Sequence, residues 1–149
     1  LTRVEKSIEI KAPPEKVWEM LAFDRLPEWM DSIKSVAYTS EVRTSEDKYR
    51  VCASAHVIAE EEFDLEIMEN IENEKISSRW RGTGRVRNTI VTYTLKHTEA
   101  GTEMTYAVYF EMPWGVLGMF LDKLFAQRMA EKTIEKESKK LKSILEKMR

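Results

Sequence analysis

Three groups of residues in this chain are of types that could do chemistry. RWRGTGRVR places Arg79, Arg81, Arg85 and Arg87 around Trp80, a basic and aromatic cluster of the kind that contacts phosphates. Glu60, Glu61 and Glu62, followed by Asp64, gather carboxylates as a cation site does. His56, His97 and the single cysteine, Cys52, complete the candidate metal ligands and nucleophiles. None of the three closes into a site. The acids near the arginines cancel the field that phosphate binding needs, and Gly82-Thr83-Gly84 lacks the strand-to-helix setting of a phosphate loop, so it reads as a turn. The acidic run lacks the glycine and fixed spacing of a calcium loop and reads as a solvated strand edge. Two histidines and one cysteine have no zinc-ligand spacing, and no Ser or Cys motif accompanies them for nucleophilic catalysis. Strand parity turns His56 and Cys52 outward, and His97 falls near an exposed hairpin end. The expectation is therefore no catalytic residue, no metal, no cofactor and no nucleic-acid partner.

The remaining chemistry belongs to apolar and aromatic side chains, and to the elements that position them. With 149 residues, 42% hydrophobic and 34% charged, and a net charge of −2, the chain reads as one globular domain spanning residues 1–149. LTRVEKS lacks the pattern of a signal peptide, and no apolar run approaches the roughly 20 residues that span a bilayer. A cytoplasmic location without integral membrane contact is expected. Val4, Ile8 and Ile10 alternate with polar residues as a first strand. Pro13 and Pro14 stop it, and Pro14 suits a first helical position ahead of Val17, Trp18 and Leu21. RLPEWM reads as a second short helix, separated from the first around Pro27. Six further strands follow, in SIKSVAYTSEV, DKYRVCASAHVIA, EEFDLEIME, EKISSRWRG, NTIVTYTLKH and TEMTYAVYFEM. Their short connections predict an antiparallel meander. A long helix from about Pro113 to Lys147 ends the chain, docked by a stripe of Ile134, Leu141 and Met148 with Ser138 and Leu145 beside it.

This order, together with IEIKAPPEKVWEMLAFDRLPEWMDSIKSV, resembles the START-like superfamily of polyketide cyclases and birch-pollen-allergen proteins. The motifs that carry the resemblance are Ala12 to Leu21, the Leu-Pro-x-Trp of Leu26 to Trp29, and Gly101-Thr102. It covers essentially the whole chain and implies an α+β helix-grip fold: an antiparallel sheet of about seven strands wrapped round a long C-terminal helix, with two short helices after the first strand.

Cross-strand pairing predicts which side chains face that helix. A tight turn at Glu72-Asn73 pairs Ile71 with Glu74 and sets Leu65 opposite Trp80 and Ile67 opposite Ser78. The outer face then opposes Glu66 to Arg79 and Asp64 to Arg81, charge pairs of about 0.2–1 kcal/mol each. Leu95–Met104, Tyr93–Tyr106 and Val91–Val108 pair likewise. A three-residue loop at residues 82–84 leaves the parity of Trp80 and Val91 inconsistent, so a bulge is predicted near Arg87 to Thr89, with Arg87 turned inward. The front of the long helix, with Val116, Leu117, Met119, Phe120, Leu121, Leu124 and Phe125, is more apolar than docking requires. It suits either a cavity wall or an exposed contact with a second copy of the chain or a membrane surface, the last disfavoured because its flanks lack a Lys/Arg-rich polar face.

The resemblance implies a lipid, isoprenoid or polyketide-like ligand in a cavity between sheet and helix. Its expected lining is Phe63, Leu65, Trp80, Tyr93, Tyr106, Val108 and Phe110 from the sheet, with Leu117, Phe120, Leu121 and Leu124 from the helix. Tyr93, Tyr106 and Trp80 are expected to orient a polar end. The expected role is carrier or sensor in a monomer or weak homodimer. A cyclase or aromatase using the same cavity, and a co-chaperone-like interaction module with a filled interior, are the alternatives.

Overall fold

The computed structural model describes residues 2–39, 42–43, 49–50, 52–57, 62–82, 88–110 and 119–147. Strand β1 (Thr2–Ile10) alternates as its sequence demands: Val4 and Ile10 are buried, while Arg3, Glu5, Ser7 and Glu9 are exposed. Helix α1 (Pro14–Met20) starts with proline inside its first turn and buries Val17 and Met20. The second short helix is a 3-10 helix, Phe23–Glu28, which includes Pro27. The break between the two helices therefore lies at Leu21 and Ala22, ahead of the expected position. After β2 (Ile33–Tyr38), the two-residue strands β3 (Val42–Arg43) and β4 (Tyr49–Arg50) form a small ribbon of their own. Strands β5 (Cys52–Val57), β6 (Glu62–Ile71), β7 (Lys75–Arg81), β8 (Asn88–His97) and β9 (Thr102–Phe110) precede helix α2 (Met119–Lys147). The predicted start of that helix near Pro113 lies outside the described residues.

The main sheet has seven antiparallel strands in the order β1-β9-β8-β7-β6-β5-β2. Because β1 and β2 occupy opposite edges, the chain between Ile10 and Ile33 must cross the inner face, and it leaves Val17, Met20, Leu21, Phe23, Leu26 and Trp29 buried there. Trp29 is fully buried; its indole N–H donates to the Met20 carbonyl at 2.8 Å. Its ring meets Tyr93 and Tyr106 edge-on, with centroids 5.8 and 6.2 Å away. Helix α2 lies against β1. Its buried stripe holds Ile134, Leu141 and Leu145, and also Glu137 and Ser138. Lys142 donates to the Glu9 carbonyl at 2.9 Å. Lys6, which takes inward parity opposite Tyr106, pairs with Glu135 of α2 at 3.4 Å.

Most of the predicted pairings appear: Leu65–Trp80, Ile67–Ser78, Glu66–Arg79 and Asp64–Arg81, then Leu95–Met104, Tyr93–Tyr106 and Val91–Val108. Two turns require correction. Ile71 pairs with Lys75, so the β6–β7 turn has three residues, Glu72 to Glu74, with Asn73 in the left-handed region at φ 63°. The pairing then shifts between Ile67 and Glu69, where Met68 is the extra residue that restores the inner register. The bulge predicted near Arg87 to Thr89 is displaced by a longer connection. Arg81 pairs with Asn88 and Trp80 with Thr89 in unbroken register, so residues 82–87 link the strands and Val91 faces inward without a bulge at Thr89. Arg87 itself lies outside the described residues.

The Gly101-Thr102 pair joins the end of β1 to the start of β9. The Thr102 hydroxyl donates to the Ala12 carbonyl at 2.7 Å, and both Thr102 and Ala12 are buried. Gly101 has φ +152°, and a Cβ there would lie 2.3 Å from the Ile10 carbonyl oxygen. Strain and collision act together against any side chain. Gly101→Ala should lower the unfolding free energy by about 2–3 kcal/mol, read as a reduced urea midpoint at unchanged slope. An unchanged midpoint would show that the end of β1 moves aside freely.

Candidate functional site

Transverse rows of inward side chains build one end of the sheet face. One row runs Phe110, Thr89, Trp80, Leu65, Ala53; the next runs Val108, Val91, Ser78, Ile67. Thr89, Val91 and Val108 of these rows, with the rings of Phe63 and Trp80, border open space. A pocket of about 370 Å³ occupies this place. Its floor is Phe63, Trp80, Thr89, Val91, Tyr106 and Val108 from the sheet. The connection into β2 adds Met30, Ser32 and Ile33, and α2 adds Met129, Ala130, Thr133, Ile134 and Glu137. Phe63 and Trp80 meet edge-to-face at 6.2 Å, and the Trp80 indole N–H donates to the Ser78 hydroxyl at 3.0 Å. Gly82 makes the position of Phe63 possible, because a Cβ there would come within 2.4 Å of its ring.

The polar side of the pocket is a carboxyl group. Glu137 is only 6% exposed. The Tyr106 hydroxyl donates to its Oε2 at 3.0 Å. Burial raises the Glu137 carboxyl to about 7; the Tyr106 hydrogen bond opposes this rise and the Asp31 charge adds to it. The rings of Tyr93 and Tyr106 are 4.8 Å apart and edge-on. Burial pushes both phenols well above their ordinary value, and the neighbouring carboxylate pushes in the same direction. The Tyr93 hydroxyl is buried without a well-formed hydrogen bond among the described residues. Lys136 and Lys140, which flank Glu137 along the helix, pair with Asp31 on the connection into β2.

Of the expected lining residues, Phe63, Trp80, Tyr106 and Val108 stand together in the pocket wall. Leu65, Tyr93 and Phe110 are buried in the adjoining core and do not reach the wall. Leu124 is 51% exposed on α2, away from the lining. Leu117 lies outside the described residues, and for Phe120 and Leu121 the description covers only the helical backbone. Glu137 is a pocket-lining group that reading the sequence did not single out. Its spacing carried the signal: three residues after Ile134 and four before Leu141, it falls inside the buried stripe, where a charge needs a reason.

An antiparallel sheet gripping a C-terminal helix over an apolar pocket defines a START-like helix-grip protein. The chain belongs to the polyketide cyclase / dehydrase and lipid transport family, whose model matches residues 2–146. It is similar in structure to a Mesorhizobium loti protein, with TM-score 0.75, 20% identity and coverage of 99% of both chains. It is equally similar to a START superfamily protein from Mycobacterium smegmatis, with TM-score 0.75, 17% identity and coverage of 99% of both chains. XoxI from Bacillus cereus follows at TM-score 0.71 and 17% identity, covering 97% of this chain and 96% of that one. A search of curated protein sequences returned no significant match. Among the described residues, no helix is long and apolar enough to cross a membrane.

The raised value of Glu137 is also a statement about stability. Between its ordinary 4.5 and about 7, the folded protein holds this proton more firmly than the unfolded chain does, so stability falls as pH rises through that window and levels off above it. At about 1.4 kcal/mol per pH unit, the ionised carboxyl costs about 3 kcal/mol. Glu137→Gln should match the parent protein near pH 4.5 and exceed it by up to about 3 kcal/mol near pH 8, measured by denaturant unfolding across that range. A difference that is constant with pH would show that the carboxyl is not buried in solution.

Proposed function

We propose that this protein binds a hydrophobic or amphipathic small molecule in the pocket between the sheet and α2, as a carrier or sensor. The observation that carries the reading is the pocket itself, about 370 Å³ of space with a mainly apolar and aromatic wall and, among the described residues, one carboxyl group at its side. That volume lies toward the lower end of small-molecule sites, which run to about 300–1,000 Å³ with few polar groups fixing orientation. Family membership supports the same reading, since the family description names lipid transport. Burial of ligand apolar area, worth about 25 cal/mol per Å² before ordering costs, supplies the affinity. A cytoplasmic location, a monomer or weak homodimer and no nucleic-acid partner complete the proposal.

A second reading has its own observation in Glu137. A carboxyl titrating at about 7 against an apolar pocket, hydrogen-bonded to Tyr106, is poised to give and take protons near neutral pH. That is what a cyclase-like enzyme asks of its site when it folds a carbonyl-bearing chain.

Two measurements test these readings. Native mass spectrometry of protein purified from its own cells should show a retained small molecule. Ala130→Trp, which adds bulk on the pocket wall, should lower that retention at least about tenfold while preserving the circular dichroism spectrum. Full retention would place the ligand elsewhere. For the enzymatic reading, a poly-β-ketone probe should cyclise faster with the protein than without it, with a rate inflection near pH 7 that disappears in Glu137→Gln. Identical rates with and without protein leave carriage alone.

A further inference from the structure

The charges around the pocket narrow the class of ligand, given the reading above that the pocket is a binding site. Its wall carries one carboxyl group and, among the described residues, no lysine, arginine or histidine. The Glu137 carboxyl accepts the Tyr106 hydroxyl on Oε2, and no second donor reaches either of its oxygens among the described residues. The two lysines within reach along its own helix are drawn away: Lys140 hydrogen-bonds to Asp31, and Lys136 stands 3.8 Å from the same carboxylate. A carboxylate in an apolar wall with one neutral donor is under-compensated, and an incoming positive charge would relieve it. Across the pocket, Phe63, Trp80 and Val108 supply an apolar wall that suits a hydrocarbon body and holds no cation to pair an anionic head group. A fatty acid or a phosphate headgroup would instead bring like charge to Glu137.

We infer that the ligand is an amphipathic amine, its apolar body among Phe63, Trp80 and Val108 and its ammonium group against the free side of the Glu137 carboxylate.

Decylamine, decanol and decanoate share a hydrocarbon chain and differ only in the head group, so isothermal titration calorimetry of the whole chain with the three compounds separates charge from burial. Near pH 8, where Glu137 is ionised, decylamine should bind at least about tenfold tighter than decanol, and decanoate weaker than decanol. Glu137→Gln should bring decylamine within about threefold of decanol and leave decanol unchanged. Lowering the pH to about 5.5 should shrink the amine's advantage in the same way, because Glu137 then takes up its proton. The other groups facing this carboxyl do not reverse that sign. Burial keeps Tyr106 and Tyr93 of the sheet neutral, and Asp31, bonded to Lys140 and near Lys136, is held below the usual carboxylate range. Equal binding of decylamine and decanol, or tighter binding of decanoate, would overturn the amine assignment and leave the pocket standing. Failure of all three to bind would overturn both.

Discussion

One helix cannot cover a seven-stranded sheet. Helices pack about 8–10 Å from their neighbours, whereas strands add about 4.8 Å each to the width of a sheet, so α2 on the β1 side leaves most of the inner face to other coverings. Part is supplied by the crossing segment that carries α1, the 3-10 helix and Trp29 from one edge of the sheet to the other. The remainder, over Trp80, Val91 and Val108, is the pocket. The hollow is therefore a consequence of topology, left where neither α2 nor the crossing segment fills the inner face.

Tyr106 links Trp29 to Glu137 at the boundary between the packed and the open parts of this interior. The indole pins the crossing segment to Tyr93 and Tyr106 by edge-on ring contacts and to Met20 by its hydrogen bond. Tyr106 in turn holds the carboxyl of Glu137. Orientation of the single acidic group thus runs back, through one phenol, to the tryptophan of the Leu-Pro-x-Trp motif. A motif that looks structural in the sequence thus stands directly behind the pocket wall.

Much of this was legible in the chain. Alternation in β1, the proline start of α1 and the pairing of Tyr93 with Tyr106 follow from local patterns, because period and register are properties of neighbouring residues. The errors fell where parity depends on loop length. A two-residue turn at Glu72-Asn73 and a three-residue loop after Arg81 were each too short, and each shortfall displaced a bulge, hiding the one at Met68 and inventing one near Thr89. Pocket-wall residues were legible only as far as sheet parity reaches. Parity cannot say which inward residues touch empty space, so Leu65 and Tyr93 looked equivalent to Phe63 and Tyr106. Glu137 was hidden by composition: among the many charges of α2 it drew no notice, although its heptad position set it apart.

The extra residue at Met68 divides the β6–β7 hairpin into two lengths that do not share a phase. Below it, Leu65 and Trp80 keep their places beside the pocket; above it, Glu69 to Ile71 follow a count set by their own turn. The outer tip is thereby uncoupled from the interior. Chain-length changes near residues 72–74 can be absorbed by gaining or losing this one irregularity, without rotating a single pocket-side residue out of place.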